Sequence, residues 1–139
     1  MKQSEVKGAD GILLAARVLL ALLFLIFGWQ KLFAYSGTVQ YMTHVGVPLP
    51  ALATLIAIVM EFFVSIAIIL GVATRPLAVL LAIYTLGTAL IGHHYWTMSG
   101  MDRFENEINF FKNISIIGGL LALYVTGAGR YAIDGARRR

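Results

Sequence analysis

A single carboxylate, Glu61, lies near the middle of a hydrophobic run, residues 51–72, whose other members are apolar, small or hydroxylated. Placing an ionised carboxylate at that depth of a membrane costs roughly 2.5–3.5 kcal/mol on insertion scales. Acidic side chains inside membranes mark proton relays and substrate pathways, or they are paired with a cation or a hydrogen-bond donor. Glu61 is therefore the first candidate for a catalytic, proton-handling residue, ahead of a purely structural carboxyl bonded to Asn113 or to a cation.

Further polar residues recur at helical spacing in the neighbouring apolar segments. Asn106, Asn109 and Asn113 follow an i, i+3, i+7 pattern, which places them on one helix face. At a rise of ~1.5 Å per residue, Asn113 reaches the depth of Glu61. These positions predict a polar funnel that is open to the outside, with Glu61 at its floor and Asn109 and Asn113 as its neighbouring face. The predicted lining of the funnel is Gln30, Lys31, His93, Asn106 and Asn109.

Each of these side chains also has a structural explanation, and both kinds of explanation stay open. Arg17 and Lys31 could snorkel to the two membrane interfaces. The asparagines could hydrogen-bond between helices, at ~0.6–2 kcal/mol per contact. His93 and Trp96 could belong to an aromatic belt at headgroup depth.

Cysteine is absent from the chain, which removes disulfide exchange, thiolate-bound zinc and iron–sulfur clusters from its own chemistry. Only His44, His93 and His94 could ligate a metal or a haem. Haem is therefore the weaker alternative, and no metal site is predicted. Any electrons must come from a bound organic cofactor, a histidine-ligated group or a partner subunit.

Composition indicates which elements position these residues. The chain has 139 residues, of which 59% are hydrophobic and only 13% charged, and its mean hydropathy is +0.80. Soluble domains carry about 25% charged residues. Apolar segments at about 12–33, 51–72, 76–95 and 107–127 each approach the ~20 residues that span a bilayer. We predict an all-α integral membrane protein: a single domain, residues 1–139, folded as a four-transmembrane-helix bundle.

The ends and connections of these segments refine the prediction. The first segment exceeds the 7–15 apolar residues of a signal peptide, so we expect it to be retained as a helix. The connection 34–50 is longer than a plain linker, and its tyrosines with Met42 and Val45 predict a short interfacial helix in the first outer loop. Pro76 begins the third segment and predicts a tight hairpin with the second.

Charge placement predicts orientation. Positive residues gather in the two tails and in the 73–76 connection, whereas the connections 34–50 and 96–107 carry few. By the positive-inside rule, both termini are predicted to be cytoplasmic. The net charge of +4 then reflects topology and contact with anionic headgroups, and no nucleic-acid partner is predicted. The positive residues used are Lys2, Lys7, Arg75, Arg130, Arg137, Arg138 and Arg139, of which the last three predict a cytoplasmic anchor or a solvated tail.

Several motifs, in order along nearly the whole chain, resemble the DoxX family. They are Arg17…Leu23-Phe24-Leu25…Gly28…Lys31-Leu32, then Glu61 followed by Leu70-Gly71-x-x-Thr74-Arg75, then His93-x-Tyr95-Trp96. The strongest block is Asn109-Phe110-Phe111-Lys112-Asn113, followed by Gly118-Gly119-Leu120-Leu121-Ala122-Leu123 and Gly127-Ala128-Gly129-Arg130-Tyr131…Asp134. The match is specific for the family rather than for one activity.

The resemblance implies a small four-helix protein of a bacterial-type inner membrane, an oxidoreductase or a quinol oxidase subunit. It also implies links to thiosulfate-to-quinone electron transfer and to redox-stress assemblies with soluble partners. In one departure, Phe62 and Phe63 follow the acid where the family often has a small, glycine-rich patch, so we expect a narrower pocket beside Glu61. The motif positions carried over are Arg17, Lys31, Glu61, His93, Asn109, Lys112 and Asn113.

The leading hypothesis is a membrane-embedded redox protein that binds a quinone-like molecule and receives electrons from a soluble or membrane partner. Two alternatives stay open: a small-solute permease component, and a non-catalytic anchor or assembly subunit for a soluble redox enzyme. An oligomer is compatible with all three. The predicted catalytic residues are Glu61 and His93; the predicted substrate-binding residues are Arg17, Lys31, Asn109, Lys112 and Asn113; the predicted cofactor-binding residues are His93 and Trp96.

Overall fold

The computed structural model describes residues 6–136, a range that is helical and contains no strand. Four helices are long and apolar enough to cross a membrane, which confirms the predicted all-α bundle, and a short helix occupies the first connection. Lys2 and residues 137–139, used above to predict orientation, lie outside the described range. The helices are α1 (Ala9–Phe33), α2 (Tyr35–His44), α3 (Pro50–Leu70), α4 (Thr74–Gly92), α5 (Gly100–Thr126) and α6 (Ile133–Ala136), with a 3-10 turn at Tyr95–Thr97.

The four long helices alternate in direction. α1 packs mainly on α3, and α4 packs mainly on α5. One end of the bundle carries α2 and the 3-10 turn, and we call it the α2 end. The opposite end carries the start of α1, the α3–α4 connection and the segment after α5, and we call it the terminal end.

α3 changes its winding in the middle, where a π-helical turn spans Val59–Phe63 and carries Glu61. Such turns inside α-helices often occur at functional sites. The backbone of this turn lies directly against Gly28 of α1. A Cβ on Gly28 would meet the backbone nitrogen of Phe62 at 2.5 Å and the carbonyl carbon of Glu61 at 2.6 Å. Glycine is thus required at position 28, and Gly28 and Glu61 share one level of the bundle.

This contact reveals that α1 is displaced along the bundle axis relative to α3. Gly28 lies five positions before the end of α1 at Phe33, whereas Glu61 lies eleven positions after the start of α3 at Pro50. The first turns of α3 therefore extend past α1 by about 9 Å. α2 packs against them, with Thr54 donating to the sulfur of Met42 at 3.4 Å.

The hydrophobic core fills the half of the bundle nearest the terminal end. Its members come from all four long helices and form one contiguous cluster of buried side chains, so this half holds the helices in register. The half nearest the α2 end, which we call the α2 half, is not filled in the same way. The central members of the core are Ala21, Val64, Ile68, Ala78, Leu81, Leu120 and Leu123.

Candidate functional site

A cavity of about 750 Å³ occupies the α2 half of the bundle, between α1, α2, α3, α4 and α5. Its volume lies within the ~300–1,000 Å³ range of small-molecule sites, and most of its wall is apolar, as in such sites. The apolar wall includes Leu23, Phe27, Met42, Val45, Leu52, Ile56 and Ile91. The polar lining consists of Lys31, Tyr41, Glu61, Tyr84, Thr88, His93, Asn109, Lys112 and Asn113.

Glu61 is held from both sides on the wall of this cavity. Lys31 Nζ lies 2.6 Å from one carboxylate oxygen, Oε2. The hydroxyl of Tyr84 donates to the other oxygen, Oε1, at 2.8 Å. The side chain of Glu61 is 12% exposed and that of Lys31 is 23% exposed. The charge of the carboxylate is thus balanced by Lys31, and each of its oxygens accepts a hydrogen bond.

The displacement of α1 explains this pairing. Helical side chains lean toward the N-terminus of their own helix, so Lys31 reaches back toward the level of Gly28, where Glu61 lies. The sequence analysis placed Lys31 on the lining of the funnel and Glu61 at its floor, and it did not pair the two residues. The close contact at Gly28 displaces α1 along α3, and this displacement brings Lys31 to Glu61.

The two asparagines expected beside Glu61 have other partners. The amide nitrogen of Asn113 donates to the hydroxyl of Thr88 at 3.0 Å. The amide oxygen of Asn109 accepts a hydrogen bond from Lys112 at 2.9 Å. Both asparagines line the same cavity as Glu61, but neither is bonded to it. Of the two structural alternatives for Glu61, pairing with a cation describes the geometry and bonding to Asn113 does not.

His93 is oriented by a hydrogen-bond relay at the α2 end of the cavity. The amide nitrogen of Asn106 donates to the carbonyl of Asp102 at 2.9 Å, so the amide oxygen faces Nδ1 of His93 at 3.0 Å. Because that oxygen only accepts, Nδ1 of His93 carries a proton. In the neutral ring Nε2 is then an acceptor, and in the imidazolium it is a donor. His93 can therefore take up or release one proton at Nε2.

Comparisons with known proteins bear on the same residues. The model of the DoxX family matches residues 12–94, which include Lys31, Glu61, Tyr84 and His93. The chain is also 54% identical, over 123 residues, to the inner membrane protein YphA of Escherichia coli K12, with 88% of each chain covered. The chain belongs to the DoxX family.

Two further relatives extend this assignment. The inner membrane protein YqjF of Escherichia coli K12 is 41% identical over 124 residues, with 87% of this chain and 88% of that protein covered. The ER-derived vesicles protein ERV29 of Saccharomyces cerevisiae is 26% identical over 133 residues, covering 96% of this chain but 35% of ERV29. No solved structure matches the chain. With four membrane-spanning helices and relatives in the inner membrane, this DoxX chain is a membrane protein.

Six of the seven predicted DoxX motif positions line the cavity, and Arg17 does not. Arg17 lies at the terminal end, where it is 1% exposed. Its guanidinium donates to the carbonyl of Ile69 at 3.2 and 3.1 Å, to that of Tyr131 at 2.6 Å, and to that of Ala128. Arg17 therefore ties the segment after α5 onto α1 and α3, which is neither snorkelling nor contact with the cavity.

Trp96, Phe62 and Phe63, for which the sequence predicted effects on the cavity, lie outside its lining. Trp96, predicted to contact the cofactor, lies outside the cavity lining, is half exposed, and stacks edge-on against Tyr95 and Phe110. Phe62 and Phe63 are also absent from the lining, and the ring of Phe62 packs against those of Trp29 and Phe63. The bulk after the acid therefore does not narrow this cavity.

Tyr84 and Thr88 are site residues that the sequence analysis did not identify. Tyr84 lies in the middle of the third apolar segment, where a hydroxyl needs a hydrogen-bond partner inside the bundle. That depth was a usable signal, and it distinguishes Tyr84 from tyrosines near the segment ends.

The site offers no metal-binding cluster. Within residues 6–136, no group of three or more histidine and acidic side chains lies close enough to hold an ion. Nδ1 of His94 contacts the carbonyl of Ile91 at 2.9 Å, while His93 is oriented by Asn106. The chemistry available to the described side chains is therefore hydrogen bonding, charge compensation and proton exchange.

Proposed function

We propose that this DoxX-family chain is a quinone-linked redox protein of the inner membrane, or a subunit of one. The observation that carries the proposal is the hydrogen-bonded chain from Lys31 through Glu61 to Tyr84 on the wall of a large cavity whose walls are mostly apolar. A quinone combines an apolar body with two ring oxygens that need hydrogen-bond donors. The cavity offers apolar walls within the bundle and donors at its polar positions.

The donors lie where two ring oxygens could be held. Lys112 and Asn109 form one polar pair on α5, and His93 lines the same cavity at the end of α4. Lys31 on α1 is the other donor, because its ammonium group keeps two hydrogens beyond the one that it donates to Glu61. The residues present therefore fit a quinone ring, which would supply the two-electron chemistry that the chain lacks.

Proton exchange is the part of the reaction that these side chains can perform. Reduction of a quinone consumes two electrons and two protons. His93 can deliver one proton from Nε2, since its Nδ1 is fixed by Asn106. Glu61 can take up or release another while Lys31 compensates the charge and Tyr84 keeps its hydroxyl on the carboxylate. General acid–base groups of this kind contribute ~10²–10⁴-fold to a rate.

Electrons come from a partner protein in this proposal. The chain contains no cysteine, so it cannot bind an iron–sulfur cluster through thiolates. Its described residues also form no cluster of metal ligands. A soluble or membrane redox partner that delivers two electrons to the cavity completes the reaction.

The proposal places the terminal end in the cytoplasm. Lys7, Arg75 and Arg130 lie at that end of the described structure, as the positive-inside rule requires of a cytoplasmic face. The cavity then lies in the outer half of the bilayer. Reporter fusions placed after Ala136 and within the 45–49 connection test this orientation directly.

Replacing Glu61 with glutamine in the complex purified with its native partner tests the proton role. The variant keeps the shape of the side chain and removes its proton exchange, so we expect quinone-dependent turnover to fall ~10²–10⁴-fold. Glu105→Gln on α5 is the matched control, because Glu105 is exposed and lies outside the cavity lining. Unchanged turnover in Glu61→Gln contradicts the role of Glu61.

A small-solute permease component is the second candidate. The same cavity favours it, because polar side chains line a chamber within a membrane-spanning bundle. Solute uptake into proteoliposomes in the absence of an electron donor supports the permease. A third role, as a non-catalytic anchor, is supported if a co-purifying redox enzyme keeps its activity in every cavity variant.

A further inference from the structure

The cavity carries one more positive charge than negative among the described residues. Its charged lining consists of Lys31, Glu61 and Lys112. Lys31 and Glu61 compensate one another through their 2.6 Å contact. Lys112 donates to the neutral amide oxygen of Asn109 at 2.9 Å, and within residues 6–136 it forms no ion pair with a carboxylate. One ammonium group in the cavity therefore lacks a counter-charge in this part of the chain.

Lys112 lies near the middle of α5 and lines the cavity, although its side chain is exposed in the structure, and this depth in the span makes the missing counter-charge significant. It follows Asn106, the partner of His93, by six positions, which places it about 9 Å further from the α2 end along α5. It precedes Asn113, which bonds to Thr88 on α4. A cation at this depth, in a chamber with mostly apolar walls, is stabilised by an anion that occupies the same chamber.

We infer that the natural ligand of the cavity is an amphiphilic anion, whose negatively charged oxygen binds Lys112 while its apolar body occupies the rest of the chamber. The polar group of such a ligand is an ionised carboxylate or an acidic ring hydroxyl. For the proposed quinone, this specifies a ring with an ionised hydroxyl substituent. The inference rests on the proposed function in that it places the ligand in the same cavity.

The surroundings of Lys112 favour an anion over a second cation or a neutral alcohol. Asn109 fixes the ammonium group and leaves two of its three hydrogens for another acceptor. His93 lines the same cavity nearer to the α2 end and adds a donor at Nε2 whenever its ring is protonated. The apolar positions contributed by α1, α3 and α4 surround the remaining volume, which suits a hydrocarbon body.

The test compares matched ligands on protein reconstituted in lipid nanodiscs, with empty nanodiscs as background. One pair is 2-hydroxy-1,4-naphthoquinone, which is ionised at neutral pH, and its neutral 2-methoxy ether. The second pair is dodecanoate and dodecanol. Each pair is measured by equilibrium binding to wild-type protein, to Lys112→Gln and Lys112→Arg, and to Arg103→Gln. Arg103→Gln removes a positive charge from the same helix outside the cavity lining.

The inference predicts that the wild type binds the ionised member of a pair about tenfold more tightly, as expected for a charge-assisted hydrogen bond. This preference for the ionised ligand should disappear in Lys112→Gln and persist in Lys112→Arg and Arg103→Gln. If the wild type binds 2-hydroxy-1,4-naphthoquinone and its 2-methoxy ether equally, the inference is overturned, whereas the proposed quinone site is still supported. The wild-type comparison alone decides this, even if a variant fails to fold.

The two ligand pairs separate failure of the inference from failure of the proposed function. If dodecanoate binds through Lys112 and neither naphthoquinone binds, the anion site is supported and the quinone proposal is overturned. If a naphthoquinone binds and its preference is unchanged in Lys112→Gln, the anion site is overturned. If no probe binds, both are overturned.

Discussion

Lys31 Nζ lies 2.6 Å from Glu61 Oε2, which joins α1 to the π-helical turn of α3 inside a membrane-spanning bundle. The same carboxylate accepts a hydrogen bond from Tyr84 of α4 at 2.8 Å. Three helices therefore meet at one side chain on the wall of the cavity. This junction both positions the acid for proton exchange and contributes to the packing of the α2 half.

Replacing Lys31 with methionine should destabilise the bundle by about 1–3 kcal/mol, because it leaves Glu61 without its counter-charge. The double variant Lys31→Met with Glu61→Gln should recover part of this loss, since it also removes the uncompensated charge. Denaturant unfolding in detergent micelles measures both. Lys7→Met, an exposed lysine at the terminal end, is the control and should leave stability unchanged. If the stability losses of the two single substitutions simply add in the double variant, the pairing of Lys31 with Glu61 is contradicted.

Replacing Gly28 with alanine should cost about 1–3 kcal/mol, because the new Cβ would lie 2.5 Å from the backbone of Phe62. The clash is with main-chain atoms, so α1 and α3 must separate and the contact between Lys31 and Glu61 must lengthen. Gly118→Ala on α5 is the control, since a Cβ there meets nothing within 4 Å. Thermal unfolding of both variants distinguishes them, and equal melting temperatures count against the close contact.

Replacing Arg17 with glutamine should loosen the segment after α5 while ligand binding in the cavity stays intact. The guanidinium holds carbonyls of Ile69, Ala128 and Tyr131 at the terminal end, far from the cavity lining. Hydrogen–deuterium exchange should rise in residues 127–136. Arg130→Gln lies in the same segment with an exposed side chain and should leave exchange unchanged. A loss of ligand affinity in Arg17→Gln, with exchange unaltered, would instead favour the substrate-binding role.

His93→Gln and His94→Gln should differ sharply although the two residues are adjacent. His93 lines the cavity and is oriented by Asn106, whereas His94 contacts the carbonyl of Ile91 and is absent from the lining. We expect quinone-dependent turnover to fall ~10²–10⁴-fold in His93→Gln and to persist in His94→Gln. Equal effects of the two substitutions contradict proton exchange at Nε2.

Much of the architecture followed from the sequence because a bilayer restricts the choices. Apolar segments of about 20 residues must form spanning helices, and the length and aromatic residues of the first connection indicated the short helix α2. Depth arguments also brought most of the site residues together, since Lys31, Glu61 and His93 all line one cavity.

The contacts within the site did not follow, because they depend on how the helices slide past one another. Gly28 allows α1 to shift along α3, and segment ends alone do not reveal that shift. The hydrogen bonds of Arg17 could not be predicted for the same reason. Its guanidinium donates to carbonyls of the segment after α5, and tertiary packing sets the path of that segment. Tyr84 was missed because a single tyrosine in an apolar run resembles an interfacial residue until its depth is considered.

The most direct test of the account is mass analysis of lipid extracts from the purified protein, with an ultraviolet–visible spectrum of the same sample. Gly87 lines the cavity, and a Cβ there meets nothing within 4 Å, so Gly87→Leu should add bulk to the chamber. Gly118→Leu adds the same bulk outside the cavity lining. We predict that a quinone co-purifies with the wild type and with Gly118→Leu and is lost from Gly87→Leu. Absence of quinone from the wild type, or equal retention in Gly87→Leu, contradicts the account.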